Sequence, residues 1–468
     1  MKQLIRILIL LFCSYSVVGQ SYHITVNSEF QADSLHIKSY NNKEHQYQAF
    51  QSQPYQKQVV FKGTAPLTPG IYVIEADSVM LLEFFISDIR VEKFTIDINQ
   101  QNVKFKGSPE NQANRDFIKK MQNYDLKMQQ LDQRFKELKS GGQTLSQEAL
   151  QLAVDSLTQQ AELIRKDKLA YQRKTATAYQ GTLFSSVIQA TMEIPSPPVE
   201  YYKSKTTYYK YLLDHLFDYY PWRDDRLLNT PIPHNKFQFL AQILLQLEAK
   251  DAIPGLIEYL DQSKKSSELY SLLFDHLENI FGSYKSLLKD EDLYIAMLEH
   301  ALANPAVDEV KRERYRFELD IAQRNRKGSQ APDFNILLKN GDTTSLYKME
   351  APYLLLLFQL PDCPACVDLR VRMESMDQLK LNIKSGLVKV VTLFYEENEA
   401  AWRNYLNKSA HPDYLHGWNY DTKVLSENLY DLRITPMMIL VDANKKVVAK
   451  DVLPAQLEQL MIDIAKKN

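Results

Sequence analysis

Cysteine is scarce in this 468-residue chain, which contains three, at positions 13, 363 and 366. So few cysteines exclude a disulfide-stapled scaffold. Glycine is also rare, with 13 residues, and together with abundant Gln, Lys and Leu this favours helix overall. No basic stripe accompanies the formal net charge of −2, so we expect no nucleic-acid partner. Beyond the N-terminus no run approaches the ~18 apolar residues of a spanning helix, which predicts a mature chain that does not cross a membrane.

Residues 1–19 have the pattern of a secretory signal. Lys2 and Arg6 form a positive segment, a short apolar run follows, and small residues precede Gln20. The alternative is a lipoprotein signal ending at Cys13, but Phe12 stands where a small residue is needed. We therefore expect an exported protein that begins at Gln20.

Three regions of different hydrophobic pattern follow the signal and predict three domains. Short alternating runs with turn residues between them predict an antiparallel β-sandwich over residues 20–107. Apolar residues three and four apart then predict an all-α helical domain over 108–327. Its first two helices should run from 113 to a break at Gly141-Gly142 and from 146 to 179, paired antiparallel. An α/β domain is expected over 328–468.

Aromatic and histidine residues outside the last domain raise the possibility of ligand sites. The tyrosines between positions 201 and 220 could form a binding face for peptide or glycan, but core and inter-domain packing is the favoured interpretation. His215 and His276 stand singly in helical patterns. His411 and His416 have no cysteine or second carboxylate nearby, so we predict no metal site.

Two cysteines lie between a hydrophobic run, residues 353–360, and a helical pattern, in the order Cys363-Pro364-Ala365-Cys366. A helix N-terminus there would stabilise a thiolate on Cys363, with Cys366 one turn along. This predicts a catalytic dithiol. The alternatives are a structural or vestigial disulfide and half of a zinc site, which lacks a second pair of soft ligands. Asp362 either opposes the thiolate or caps the helix.

The pattern around the cysteines predicts a thioredoxin fold, with the order β-α-β-α-β-β-α and a preceding hairpin at 335–346 with a two-residue turn. Seventy residues beyond the dithiol, the Thr435-Pro436 peptide is predicted to be cis. The Thr435 backbone would then face Cys363, ready to pair with an extended substrate strand. We predict that Thr435, Pro436, Pro364 and Ala365 bind substrate.

Three segments together carry a family resemblance: Ala331-Pro332-Asp333-Phe334, the Cys363/Cys366 pair and Ile434-Thr435-Pro436. This region resembles the exported thioredoxin-like thiol–disulfide oxidoreductases of the TlpA/ResA type, in a multidomain arrangement similar to that of Bacteroidota proteins. The resemblance implies reduction of disulfides in exported proteins, a membrane-bound dithiol donor and no cofactor. It also implies a location in the periplasm or at the outer membrane of a Gram-negative bacterium.

Two features depart from that family. Leu356 and Leu357 stand where a buried acid is usual, and Leu369 stands where a Glu is common, so proton transfer to Cys366 has no obvious relay. Glu396 or Glu397 is the candidate replacement. The alternative function is a non-catalytic binding or scaffold protein with a vestigial thioredoxin module, because two thirds of the chain shows no catalytic pattern.

Overall fold

The structure, a computed structural model, describes residues 21–29, 32–90, 92–99, 102–140 and 146–467. The predicted signal over 1–19, including Cys13, and the helix break at Gly141-Gly142 lie outside these ranges. Two compact units make up the chain: residues up to Leu247 with Glu258–His276, and Glu248–Ile257 with Leu277–Asn468. The predicted domain boundaries stay predictions. Within the described ranges, no helix has both the length and the apolar character needed to span a bilayer.

Eight strands begin the first unit and form two four-stranded sheets, ordered β4-β1-β7-β8 and β3-β2-β5-β6. Apolar side chains of both sheets meet in one core, as the alternation of buried and exposed residues along β1 requires. The strands are β1 (Tyr22–Ser28), β2 (Ser34–Asn41), β3 (Gln46–Pro54), β4 (Gln58–Gly63), β5 (Gly70–Ala76), β6 (Val79–Ile86), β7 (Glu92–Ile98) and β8 (Val103–Lys106).

The β region differs from the prediction in two ways. It is not purely antiparallel, because β1 pairs in parallel with β7, with Ile24 opposite Phe94. Between β1 and β7 the chain forms the strands of the other sheet. Because a connection this long can return the chain to either end of β1, β7 can lie parallel to β1, which a hairpin does not allow. The sequence patterns also missed β2, β3 and β8. The β3 sequence is polar and has no apolar alternation, and β8 has only four residues.

Helices follow the strands, and the first two match the predicted spans closely. Tyr124 donates to Asp167 at 2.7 Å, and the Phe117 ring stacks on Tyr171, which confirms their antiparallel pairing. Ser146 caps the second helix by accepting from Ala149 N–H. The helices are α1 (Pro109–Lys139), α2 (Gln147–Ala178), α3 (Leu183–Ala190), α4 (Lys205–His215), α5 (Ile232–Leu244), α6 (Ala249–Ser263) and α7 (Ser267–Phe281), with 3-10 turns at Val199–Lys203 and Asp225–Asn229.

The second unit contains a seven-stranded sheet ordered β10-β9-β13-β12-β11-β14-β15. Its helices and strands are α8 (Glu291–Ala303), α9 (Glu309–Gln323), β9 (Asn335–Leu338), β10 (Thr343–Ser345), a 3-10 turn (Leu346–Lys348), β11 (Tyr353–Phe358), α10 (Pro364–Ser375), α11 (Asp377–Lys384), β12 (Val388–Phe394), α12 (Glu399–Ser409), β13 (Leu415–Trp418), α13 (Lys423–Ser426), β14 (Met437–Asp442), β15 (Val447–Ala449) and α14 (Pro454–Lys467).

The position of β11 inside the sheet, between β12 and β14, explains its continuous run of leucines. Leu354 and Leu356 pack into the core on one face of the sheet, and Leu355 and Leu357 pack into the core on the other. A strand buried on both faces needs apolar side chains at every position. Hydrogen bonding to β12 and β14 on its two edges makes β11 a rigid support for the residues that follow it.

Three details of this region correct the prediction. Strand β13 was missed, because its sequence LHGW includes a histidine and a glycine. The helix expected to reach about Leu381 is two helices, α10 and α11, which meet at Met376. The β9–β10 loop has three residues between the paired Leu338 and Asp342, and Gly341 takes the left-handed conformation (φ 91°) that such a loop needs.

Candidate dithiol site

Cys363 lies at the exit of β11 and is the N-cap residue of α10. Its Sγ accepts a hydrogen bond from the Cys366 backbone N–H at 3.2 Å. Pro364 occupies the first helical position, where no backbone donor is needed. The N-terminal N–H groups of a helix interact favourably with negative charge at such a cap position. Asp362 is exposed and does not cap the helix, so the capping role considered for it in the sequence is not observed.

Cys366 lies one turn along α10, and its side chain is buried. Both cysteines are free thiols, with Cys363 partly exposed. Burial, followed by the hydrogen bond with Cys363, raises the pKa of Cys366. One sulfur is therefore partly exposed, and burial disfavours the charged form of the other.

The Thr435-Pro436 peptide is cis, which confirms that prediction. The Thr435 carbonyl oxygen lies 3.9 Å from Cys363 Sγ, so the two segments meet although 72 residues separate them. Tyr395, at the end of β12, shares a 2.5 Å hydrogen bond with the Thr435 hydroxyl. Sequence reasoning missed Tyr395, because nothing in the local pattern links the end of β12 to the Thr435 loop.

A buried network of three side chains extends from the first turns of α10. Arg370 donates to the Gln359 side-chain oxygen at 2.7 Å, and Gln359 donates to the Tyr405 hydroxyl at 2.9 Å. The guanidinium also lies over the Tyr405 ring, 5.2 Å from its centre. Burial raises the pKa of Cys366, and the positive charge of Arg370 offsets a small part of that rise. A cation is thus buried close to the dithiol.

Other predicted site residues are accessible. Pro364 and Ala365 are exposed at the start of α10, and Ile434 is exposed beside the Thr435-Pro436 peptide. Glu396 and Glu397 are also exposed, and among the described hydrogen bonds neither carboxylate reaches a cysteine. The position beside them that does reach the site is Tyr395.

Hydrogen bonds and ion pairs anchor the segment that leads to Pro436. Arg433 donates to Asp431 at 2.9 Å and to Glu318 of α9 at 2.8 Å. Tyr284 also donates to Asp431 and accepts from Arg433. Burial alone would raise the pKa of Asp431, but hydrogen bonds from Arg433 and Tyr284 outweigh it and lower the pKa. Both ends of this segment are therefore held, one by β14 and the other by the ion pairs.

The histidines and tyrosines considered as ligand sites from the sequence differ in burial and in their contacts. His416 is buried on β13 and bonds to Thr392 at 2.6 Å and to the His411 carbonyl at 2.8 Å, a packing role. Tyr211 and Tyr220 are buried, whereas Tyr202 is exposed, so packing accounts for much of the tyrosine group. The solitary position expected for His276 is not observed, since other histidines lie beside it.

Comparisons with known proteins bear on both units. Residues 155–325 match the family described as "Domain of unknown function (DUF5106)". None of the curated proteins compared with this chain matches it.

Among solved structures, a thioredoxin-like protein from Bacteroides caccae ATCC 43185 is 24% identical, covers 58% of this chain and 98% of its own, and has a TM-score of 0.54. The C-terminal domain of an uncharacterized protein from Bacteroides fragilis NCTC 9343 is 29% identical over 30% of this chain and 98% of its own, with a TM-score of 0.29. The thioredoxin domain of a thiol-disulfide oxidoreductase from Bacteroides vulgatus is 20% identical over 30% of this chain and 96% of its own, with a TM-score of 0.26. The Bacteroides caccae protein establishes a thioredoxin-like fold in part of this chain.

Proposed function

We propose that this protein is a thiol–disulfide oxidoreductase that reduces protein disulfides through Cys363 and Cys366. One observation carries the proposal: a partly exposed Cys363 thiol caps α10, 3.9 Å from the Thr435 carbonyl oxygen, with Cys366 buried one turn behind it. A thiol at a helix N-terminus with a second thiol in reach is suited to disulfide exchange.

The reaction proceeds in two exchanges. The Cys363 thiolate attacks one sulfur of the substrate disulfide, forming a mixed disulfide and releasing the other substrate sulfur as a thiolate. Cys366 then loses its proton and attacks the Cys363 sulfur, which releases the second substrate thiolate. The substrate has gained two electrons and, from solvent, two protons. A Cys363–Cys366 disulfide remains in the protein, to be reduced by a dithiol donor.

Substrate recognition is assigned to the residues around the exposed sulfur. An extended peptide beside Cys363 would pair with the Thr435 backbone, as an added strand pairs with a sheet edge. Pro436, Pro364 and Ala365 would contact its side chains, since the two α10 residues are exposed. These contacts select for an accessible disulfide in an extended segment rather than for a particular side chain.

The location and partners extend this proposal. A signal over residues 1–19 would bring the chain to the periplasm or the outer membrane of a Gram-negative bacterium, where disulfides form. Its substrates would be exported proteins with disulfides. A membrane-bound dithiol would supply the electrons, because reducing cytosolic pools do not reach that compartment.

Reduction of insulin by the purified protein, with an excess of a small dithiol as electron donor, tests the proposal. We expect turnover above the dithiol alone, and its loss in Cys363→Ser, because the attacking sulfur is gone. Ser375→Ala at the other end of α10 is the matched control and should keep the activity. An insulin reduction rate that is equal in wild type and Cys363→Ser would contradict the proposal.

The second candidate is a non-catalytic binding or scaffold protein. It is favoured by the family match over residues 155–325, which lies wholly outside the dithiol region and has no assigned chemistry. A partner that stays bound when both cysteines are replaced by serine supports this candidate. Loss of that partner in the double variant supports the oxidoreductase.

A further inference from the structure

Three histidines from distant parts of the first unit lie together. His45 is in the turn between β2 and β3, His234 is in the first turn of α5, and His276 is on α7. Their ring centres are 3.9 Å (His45 to His234), 5.0 Å (His234 to His276) and 6.3 Å (His45 to His276) apart. One ring nitrogen of each lies within 4.8 Å of the other two. In the described ranges, this is the one group of three or more metal-ligating side chains with such spacing.

Two of these rings have buried nitrogens without a partner. His234 Nδ1 and His276 Nε2 are shielded from solvent and make no hydrogen bond. A buried polar atom left unpaired costs about 1–3 kcal/mol, so such atoms are uncommon in folded proteins. Packing alone does not account for this arrangement, because apolar side chains would fill the same space without that cost.

Burial disfavours the protonated form of two of the three rings. Burial, and then the neighbouring His234 and His45, lower the pKa of His276 to about 4. Burial likewise lowers the pKa of His234. Neutral imidazole is the form that binds metal ions. A metal ion is one partner that an unpaired imidazole nitrogen can take.

We propose that His45, His234 and His276 bind a divalent transition-metal ion of the zinc class. Three imidazoles and one open position form a familiar zinc coordination set, and the open position takes water or another donor atom. The group contains no carboxylate, which disfavours Ca²⁺ and Mg²⁺ because they prefer oxygen ligands. Imidazole favours Zn²⁺, Cu²⁺ and Ni²⁺ instead.

The geometry needs only a small adjustment to coordinate an ion. Zinc–nitrogen bonds of about 2.1 Å place tetrahedral donor atoms about 3.4 Å apart. The three nitrogens lie within 4.8 Å of one another, so they must move closer together to bind the ion. His45 can supply this movement, because its side chain is exposed and lies in a turn. Its backbone has a φ of 53°, the left-handed conformation that directs this residue out of the β2–β3 ladder.

This site is independent of the dithiol, and the experiment has to keep the two apart, because a pair of thiols can also bind zinc. The full chain with Cys363→Ser and Cys366→Ser is therefore titrated with Zn²⁺ by calorimetry and with Co²⁺ by visible absorption. We expect one ion per chain, and a Co²⁺ spectrum of nitrogen and oxygen ligands without a thiolate charge-transfer band.

Variants in the same background then assign the ligands. His276→Ala should weaken Zn²⁺ binding about 100-fold or more, since even second-shell partners of a metal site contribute about 10–100-fold. His45→Gly removes a ligand while keeping a residue suited to positive φ, so folding should be preserved and binding should weaken similarly. His215→Ala is the matched control and should bind like the parent, because His215 pairs with Asp218 outside the cluster.

Circular dichroism establishes that each variant is folded before binding is compared. Zn²⁺ should also raise the melting temperature of the parent and of His215→Ala, but not of His45→Gly. Failure of the folded parent to bind Zn²⁺, or equal affinity in the parent, His45→Gly and His276→Ala, would overturn the proposal. Either outcome leaves the insulin reduction result unchanged.

Discussion

A buried guanidinium, that of Arg370, lies one turn beyond Cys366 on α10. Arg370 is 8% exposed, and in the described part of the chain its hydrogen-bond partner is neutral Gln359, with no carboxylate paired to it. A buried cation without a counter-ion attracts a nearby anion strongly. In the proposed mechanism, Arg370 would therefore stabilise the Cys366 thiolate that attacks Cys363.

The first prediction concerns Arg370→Met, which keeps much of the side-chain volume and removes the charge. Resolution of a mixed disulfide on Cys363 should slow several-fold, because the Cys366 thiolate loses its nearby cation. The measurement is release of a chromophoric thiol from the preformed mixed disulfide. Arg372→Met, on the exposed side of α10, is the matched control and should resolve at the parent rate. Equal slowing in both variants would argue against a role for the buried charge.

The second prediction is a pH dependence of the same step. Burial raises the pKa of Cys366, so at neutral pH most of this thiol is protonated and only a small fraction can attack. Below its pKa the thiolate fraction grows about tenfold per pH unit, so resolution should accelerate steadily from about pH 7 to 9. The rate at which the chromophoric thiol is released, measured across this pH range, tests the prediction. A rate that is flat over the range would contradict a buried, protonated Cys366.

Among the structural elements, the segment before β14 depends on helix α9 and on residues after α7. Arg433 connects Asp431 to Glu318, while Tyr284 bonds to both Asp431 and Arg433. These contacts lie within the second unit and end two residues before Thr435. The position of the Thr435 carbonyl beside Cys363 is therefore supported by residues far from the dithiol in sequence.

The third prediction is that Asp431→Asn destabilises the second unit by about 1–3 kcal/mol, because Arg433 and Tyr284 lose a charged partner. The pKa of Asp431 is lowered in the folded state, so its contribution is full above the ordinary carboxyl pKa, near pH 4. It is lost as the pH falls through the lowered folded pKa.

Denaturant unfolding at pH 7 and at pH 3 measures this effect. The difference between parent and Asp431→Asn should be large at pH 7 and should shrink at pH 3. Asp368→Asn, in an exposed ion pair with Arg372, should match the parent at both values. A difference that persists unchanged at pH 3 would mean that the carboxylate charge is not its cause.

In the first unit, one side chain of α1 bonds to the edge strand β6. Asn111, 1% exposed on α1, accepts from the Phe85 N–H at 2.6 Å and donates to the Phe85 carbonyl at 3.0 Å. The neighbouring Glu110 accepts from Ser87 and from the Phe184 N–H at the start of α3. Backbone groups that the sheet leaves unpaired are satisfied here by helix side chains.

The fourth prediction follows from that contact. Asn111→Ala should destabilise the first unit by about 2 kcal/mol or more, because both backbone groups of Phe85 are left buried without partners. Asn123→Ala, at an exposed position of the same helix, should be close to neutral. Chemical denaturation followed by circular dichroism compares the two. Similar stabilities for Asn111→Ala and Asn123→Ala would show that the Phe85 contact contributes little.

At the scale of the whole molecule, Cys363 and Cys366 are the two cysteines beyond residue 20. Their scarcity makes a trapping experiment clean. The fifth prediction is that Cys366→Ser retains substrate proteins as mixed disulfides on Cys363, because the resolving thiol is absent. Diagonal gel electrophoresis should show adducts that dissociate on reduction. They should be missing from the Cys363→Ser, Cys366→Ser double variant, and adducts present in both would contradict exchange through Cys363.

Patterns that repeat over a few residues were readable in the sequence. The predicted spans 113–140 and 146–179 match α1 and α2 closely, and the run of leucines predicted the buried strand β11. The dithiol and the cis Thr435-Pro436 peptide were also predicted. Each of these signals is local, since side-chain period, caps and turn residues act within one or two turns of chain.

Contacts between distant segments were not readable, for a physical reason. The parallel pairing of β1 with β7, the hydrogen bond from Gln359 to Tyr405 and the approach of Tyr395 to Thr435 depend on how the chain closes. The histidines at 45, 234 and 276 each look ordinary in their own segments, and they become a possible metal site only once β2, β3, α5 and α7 have packed together. Local pattern decides which residues can do chemistry here, and long-range packing decides which of them meet.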